Sequence, residues 1–439
     1  MKVVIAMDSF KGSMSSMEAG RAARDGVLRA KNAEVVVRPL ADGGEGTTEA
    51  LVEGLGGTYV ETEVHGPMGG WVTARYGILG DGSTAVIEMA EAAGIVLVEA
   101  GRLDPWHAST TGVGEMILDA IHRGCREFII GIGGSATVDC GIGMLQALGY
   151  EFYDREGQLL PPLPASLGDI VRIDDRGVLP ELEDCCFHIA CDVSNPLCGE
   201  NGAVYVYGSQ KGVRREECKS LDEDFLHFAE KTMEFRKKIK KRETEENVSK
   251  GNVSDGNVSD GNVLDENISS ENISDGNVLN ENVSDRNSSD GEKMNSGRSV
   301  ERDVAETPGA GAAGGLGFAC ISYLPHVELK SGVSIVLDAI RLGEKLSDAD
   351  IFLTGEGQLD GQTAMGKAPI GAARLAKSYG CRVIAFAGSV AEEASSCNAE
   401  GMDAFFPIVR GVTTLAEAIE PDRAKKNMML SVEQVFRLL

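Results

Sequence analysis

The chain opens on a short apolar run, Val3-Val-Ile-Ala-Met7, stopped by Asp8, the pattern of a buried strand running into a turn. Apolar positions at helical spacing follow from about Ser15 to Ala30, and Ser15-x-x-Glu18 reads as a capping box. Val35 to Leu40 is again strand-like; it runs into Ala41-Asp-Gly-Gly-Glu-Gly-Thr47 and then a helix to about Leu55. Two strand–helix units thus arrive at once, each with an acidic, glycine-bearing turn after its strand. A strand-rich piece follows (Val60 to Val64, Trp71 to Leu79, Thr84 to Met89), then a helix from about Gly112 to Arg123. Phe128 to Ile130 reads as a buried strand leading through Gly131-Ile-Gly-Gly-Ser-Ala-Thr-Val-Asp139 into a helix from Met144. Further strands are expected at Phe187 to Cys191, Ile351 to Thr354, Val383 to Ala387 and Phe405 to Val409, and an amphipathic helix closes the chain. Strands alternating with helices predict an α/β fold with largely parallel sheets.

One window breaks the pattern. After a charged helix through about Phe235, Asn recurs at 247, 252, 257, 262, 267, 272, 277, 282 and 287, in the frame Asn-(Val/Ile)-(Ser/Leu) at all but the last, and no aromatic residue stands between 243 and 303. Such a segment buries too little apolar surface to offset the entropy of ordering, so a disordered low-complexity insertion is expected over 243–303. Its Asn-x-Ser sequons are compositional.

Composition narrows the function classes. At 439 residues, two domains are the default. The net charge of −26 argues against a nucleic-acid surface, which needs clustered Lys and Arg. It leaves room for a phosphorylated small molecule in a local pocket. Ten cysteines without a C-x-x-C pair fit reduced thiols in a cytoplasmic protein. The apolar start is too short for a signal peptide, and no run is long enough to span a membrane.

In open parallel sheets ligands bind beyond the carboxyl ends of the strands. The conspicuous acids of this chain, Asp8, Asp42, Asp139, Asp192, Glu356 and Asp360, stand at such turns. Singly, each reads as a turn or cap residue. Together with glycine-rich turns they suggest Mg²⁺ and phosphate at one site, which is what phosphoryl transfer needs. Gly131, Gly133, Gly134 and Ser135 can curl backbone N–H groups round an anion, and Gly309 and Gly311 offer a second such turn. Lys11 and Lys367 are the candidate charge neutralisers. Asp192 is the first choice for base or metal ligand, with Asp360 and Glu356 as alternates for the catalytic carboxylate and Asp360 also as metal ligand.

Two formal motif matches are weighed. Gly361-x-x-x-x-Gly366-Lys367-Ala368 imitates a phosphate-binding loop but ends in Ala, lacking the hydroxyl that would hold Mg²⁺. Gly131-x-Gly133-x-x-Ala136, with Glu151 further on, fits a dinucleotide fingerprint, which makes an NAD-dependent dehydrogenase of a small hydroxy acid the alternative.

Six segments in order, Asp8-Ser-Phe-Lys-Gly-Ser13, Ala41–Thr47, Gly131–Thr137, Asp192-Val-Ser-Asn-Pro-Leu197, Pro308–Gly315 and Gly355-Glu-Gly-Gln-Leu-Asp-Gly-Gln362, resemble the bacterial-type, class I glycerate kinases. The resemblance implies ATP-dependent phosphorylation of D-glycerate, 2-phosphoglycerate being favoured over 3-phosphoglycerate, in glycerate or organic-acid catabolism. Asp8, Ser9, Asp42, Gly43 and Gly44 then belong to the glycerate side, with D-glycerate and ATP as small-molecule partners. A homodimer is compatible with this reading. The resemblance also implies two α/β domains: a discontinuous Rossmann-like one from residues 1–65 and 306–439 and a second from 66–235, with 236–305 the end of the charged helix and the insertion. The sequence departs from the family where Met7 replaces Pro and where Cys140 and Ile142 replace small residues after Asp139, which tightens that turn. Asp139 reads either as a helix cap or as a ligand-facing carboxylate.

Because the repeat is no part of the family pattern, its deletion is expected to be silent. Removing 243–303 should leave kcat and KM within about twofold of the full chain in a steady-state assay. A tenfold loss of turnover would make the repeat part of the working enzyme.

Overall fold

The computed structural model of the chain describes residues 1–99, 101–251 and 304–439. Alternation within the first apolar run decides how it packs. Val3, Ile5 and Met7 point into one core with Ala23, Val27, Met428 and Val432, while Val4 and Ala6 point into another with Leu51, Val336 and Val383. A strand covered on both faces has this continuous apolar character.

The strands, in chain order, are β1 (Lys2–Met7), β2 (Glu34–Pro39), β3 (Thr58–His65), β4 (Trp71–Ile78), β5 (Thr84–Glu88), β6 (Glu127–Gly131), β7 (Glu151–Tyr153), β8 (Arg172–Asp174), β9 (Cys186–Ala190), β10 (Val327–Lys330), β11 (Ile351–Leu359), β12 (Arg382–Val390) and β13 (Ala404–Pro407). One sheet runs β13-β12-β11-β1-β2 and is parallel throughout. A second runs β10-β9-β6-β5-β4-β3, parallel from β10 to β5 and antiparallel across β4 and β3. β7 and β8 form a small antiparallel pair. The fold is thus mixed α/β with mostly parallel sheets. In the first sheet β1 is flanked by β2 on one side and β11 on the other, so the chain leaves in opposite directions from the β1/β11 edge, the kind of switch point at which ligands bind.

Two segments lie elsewhere than the sequence led us to expect. β3 pairs with β4 from Thr58↔Ile78 to His65↔Trp71, which makes it the edge of the second sheet rather than part of the first. Of its eight residues only Val64 is buried, as suits an edge strand with one face in solvent. β10 adds to the second sheet through Val327↔Phe187 and Lys330↔Ala190. The acidic stretch after Thr354 also differs: β11 continues to Leu359, so Glu356 stands on a strand and not in a turn. The cause is close backbone pairing with β12, since a Cβ on Gly355 would stand 2.0 Å from the Phe386 carbonyl oxygen.

The helix Ser16–Ala30 carries the expected Ser15/Glu18 capping box and packs on the C-terminal helix Pro421–Leu438. Their approach is close enough that a Cβ on Gly26 would meet the Met429 carbonyl at 2.4 Å. The charged helix runs from Cys218 to Gly251, so positions 243–251 of the repeat window are helical; the rest of the expected disorder, 252–303, lies outside the described residues. Met1–Thr232 and Asp303–Leu439 form one compact unit and Met233–Arg302 a separate one. No described helix is long and apolar enough to cross a membrane.

The sheet ends meet through backbone. A Cβ on Gly332, the first residue of the helix Gly332–Ala339, would stand 2.0 Å from the Asp42 carbonyl oxygen and 2.5 Å from the Gly43 Cα. Neither neighbour can move like a side-chain end. Gly332→Ala should therefore lower the unfolding free energy by about 1–3 kcal/mol in urea titration; an unchanged midpoint would show the loops to be free to part.

Candidate active site

The first wall of the site is the carboxyl end of β1, β2 and β11. Asp8 leaves β1 with its N–H bonded to the Gly355 carbonyl (2.8 Å) and its carboxylate capping the Ser9 N–H (2.6 Å). Burial pushes its carboxyl up to about 7; the Ser9 bond works against this, while Asp42 and Glu356 add like charge. Glu356 is buried and accepts from the Thr363 hydroxyl (2.7 Å), and its pKa too is raised, first by burial and further by Asp360 and Asp42. Lys367 stands 3.8 Å from Glu356 and 3.5 Å from Asp360. Burial alone would raise Asp360, but the Thr363 and Gln362 N–H groups and Lys367 together hold it low. Asp42 is exposed, folds back on the Gly44 N–H (2.9 Å), and lends like charge to Asp8, Glu356 and Asp192 alike. It is the electrostatic link between the two walls.

The second wall comes from the other sheet. Gly133, Gly134 and Ser135 after β6, Asp192 after β9, and Ala312 and Ala313 enclose a cavity of about 340 Å³ together with Gly43 and Gly44. Asp192 accepts from the Gly332 N–H (3.1 Å), and its carboxyl is raised by burial, then by Asp42. Its loop is braced: Tyr207 donates to the Asn195 side-chain oxygen (2.6 Å), and Gly311 N–H donates to the Asn195 carbonyl (3.0 Å). Ala313, Gly314 and Gly315 are consecutive left-handed residues that turn the 308–315 segment against the 137–140 turn. A Cβ on Gly314 would lie 2.1 Å from the Thr137 carbonyl.

Thus the structure brings Asp8, Ser9, Asp42, Gly43, Gly44, Gly133, Gly134, Ser135, Asp192, Glu356, Asp360 and Lys367 to one end of the two sheets. It does not bring Gly131, Gly309 or Gly311 to the cavity surface. All three are buried, and a Cβ on them would meet the Gly43 carbonyl at 2.5 Å, the Leu329 side chain at 2.7 Å and the Pro196 carbonyl at 2.2 Å respectively. They are packing glycines. Lys11 is exposed beside Glu45 (3.8 Å) and lines a separate hollow of about 270 Å³ with Phe10, Gly357 and Gly388. Asp139 is wholly buried and accepts from Thr110 N–H (2.7 Å), Thr110 hydroxyl (2.7 Å), Gly141 N–H (3.2 Å) and Gly143 N–H (3.3 Å), so it ties the start of the helix Ile142–Ala147 to Thr110 and faces no ligand. Cys140 after it has φ 50°, a conformation that favours glycine, and this locates the tightness of that turn. The dinucleotide fingerprint fails here on geometry: its first glycine is closed off by Gly43, and Glu151 lies on β7, bonded to the Tyr153 hydroxyl.

Sequence reasoning missed Tyr207, Gln210 and Lys211. The one signal for Gln210 and Lys211 is a polar stretch between Gly208 and Gly212, and nothing in it shows that the Lys211 side chain turns inward.

The Asp8 carboxyl sets a pH dependence whose sign follows from linkage. Unfolded, it titrates near 3.8; folded, near 7. Between those values the folded state holds the proton, so this group's contribution favours folding at low pH and is lost as pH rises through about 7. Asp8→Asn should melt increasingly above the parent from pH 4 to pH 7, with the gap constant beyond; a gap independent of pH would contradict the assignment.

Comparison with known proteins agrees with this geometry. A family model described as the glycerate kinase family matches residues 3–258 and 285–439. The chain is 37% identical over 440 residues to a glycerate kinase of Haemophilus influenzae, covering 100% of this chain and 99% of the relative. It is 38% identical over 419 residues to the glycerate 2-kinase of Escherichia coli, covering 95% and 93%. A crystal structure assigned as a glycerate kinase 2 from Salmonella typhimurium LT2 superimposes with a TM-score of 0.78 at 35% identity, covering 100% of this chain and 98% of that one. These findings point to phosphorylation of glycerate and give the dehydrogenase alternative no support. With matched segments on both sheets and both walls of the cleft, the chain belongs to the glycerate kinase family.

Proposed function

We propose that the protein transfers the terminal phosphate of ATP to the 2-hydroxyl of D-glycerate and serves the breakdown of glycerate and related organic acids. The observation that carries this reading is that Asp192, the Gly133–Ser135 turn, Gly43 and Gly44 line one cavity. A carboxyl shifted toward neutrality by burial is a good acceptor for a hydroxyl proton. One Asp192 oxygen is held by the Gly332 N–H, which leaves the other to accept from a substrate. The transferred phosphate then rests on the turn of backbone N–H groups, as phosphoryl transfer by positioning and charge neutralisation requires. The name of the Escherichia coli relative, a glycerate 2-kinase, supports the 2-position.

Mg²⁺ fits the donor set. Among the described residues no three His, Cys, Asp or Glu side chains form a metal cage. Mg²⁺ does not need one: it keeps several waters and binds through one or two carboxylates plus substrate phosphates. Asp42, whose charge reaches Asp192, would hold it, and it would supply charge neutralisation at the phosphates. Asp360 suits this less, because Lys367 already supplies its counter-charge, and the Gln362 and Thr363 N–H groups converge with it on one carboxylate oxygen. Lys367 moderates the charge of Glu356 and Asp360, and Lys11, exposed beside Glu45, would meet an anion approaching the turn after β1.

Incubation with D-glycerate and Mg·ATP should release ADP, and enolase should consume the product directly, as it does 2-phosphoglycerate. NAD reduction without ADP release would overturn the reading. Asp192→Asn should lower kcat by about 10²- to 10⁴-fold with a melting temperature no lower than the parent's; near-normal turnover would remove Asp192 from the mechanism.

A further inference from the structure

Lys211 is 2% exposed, yet it lines the same cavity as Asp192. Among the described residues it is the cationic side chain on that lining. Its ammonium donates to the Ser135 hydroxyl and to the Thr137 carbonyl (2.8 Å). An ammonium has three N–H bonds, so one remains uncommitted. By accepting from Lys211, the Ser135 oxygen leaves its own hydrogen to donate elsewhere. No described residue accepts from the backbone N–H groups of Gly133 or Gly134.

The counter-charge is arranged unusually. Asp139 is the carboxylate whose field reaches Lys211, but its oxygens are occupied by Thr110, Gly141 and Gly143. It favours the ammonium from a distance without closing an ion pair over it. A buried cation with only neutral hydrogen-bond partners is costly, and the cost falls when an anion arrives.

We infer that the Lys211 ammonium, the Ser135 hydroxyl and the Gly133 and Gly134 N–H groups form the seat for one substrate oxyanion, either the glycerate carboxylate or the terminal phosphate of the nucleotide. This deepens the proposed function and rests on it for the identity of the two candidates. The seat is charge-dependent. Burial lowers the Lys211 pKa to about 7, so the free protein holds the lysine partly neutral near neutral pH, and the arriving anion draws a proton on to it.

The test uses the full chain. Lys211→Met should raise the KM of one substrate by roughly 10- to 100-fold, as loss of a charged hydrogen bond implies. The KM of the other should stay within about threefold. A rise for ATP assigns the seat to the phosphate, where the proposed function puts it; a rise for glycerate assigns it to the carboxylate and moves the phosphate off the Gly133–Ser135 turn. In the parent that KM should climb as pH rises through about 7, and in the variant it should be flat. Calorimetry of D-glycerate and of ATP added separately to the parent, at pH 8 in two buffers of different ionisation enthalpy, needs neither turnover nor a folded variant. Proton uptake with one ligand supports the seat even if no phosphoryl transfer occurs. No proton uptake with either ligand, or a folded Lys211→Met with both KM values and their pH dependence unchanged, overturns it.

Discussion

Everything at the site depends on how closely two turns can approach without side chains. Gly43, at φ 88°, lies against Gly332 and Ala190, and a Cβ there would stand 2.4 Å from the Gly332 Cα. Gly131 lies under the Gly43 carbonyl in the same way. Only glycine at these places lets the end of β2 reach the ends of β6 and β9. That approach puts Gly43 and Gly44 into the cavity of Asp192 and Ser135, and it sets the Gly332 N–H against the Asp192 carboxylate. The glycines that hold the site together are therefore mostly not the ones that face a ligand.

The approach concentrates negative charge. Asp8, Glu356 and Asp192 are each raised first by burial, and the charge of Asp42 adds to all three. In a chain of net charge −26, such a cluster is stable only with protons, cations or both. Under the proposed function a bound Mg²⁺ would take the place of those protons and relieve the repulsion of like charges when the substrate complex forms. Two lysines answer it: Lys367 stands beside Glu356 and Asp360, and the buried Lys211 bonds to Ser135.

The strand–helix order, the parallel sheets and most of the acid positions were legible because each rests on local pattern. Val3–Met7 alternates between two cores, and Asp8, Asp42 and Asp192 follow strands as the spacing implied. What could not be read depends on partners distant in sequence. The pairing of β10 with β9 joins residues more than a hundred positions apart, and the extension of β11 through Gly355 depends on β12. Composition does not separate a packing glycine from a phosphate-facing one: Gly131 and Gly133 differ only in what lies above them, the Gly43 carbonyl in one case and open space in the other. Asp139 looked like its neighbours at strand ends, and only its four hydrogen bonds identify it as a buried cap.

The central claim is that one cleft, walled by both sheets, receives both substrates. A crystal structure of the protein with Mg²⁺, D-glycerate and a non-hydrolysable ATP analogue tests it most directly. The expected result is a terminal phosphate on the Gly133–Ser135 side, with a glycerate hydroxyl within about 3 Å of the free Asp192 oxygen. Ligands bound together at some other surface, with Asp192 facing only solvent, would contradict it.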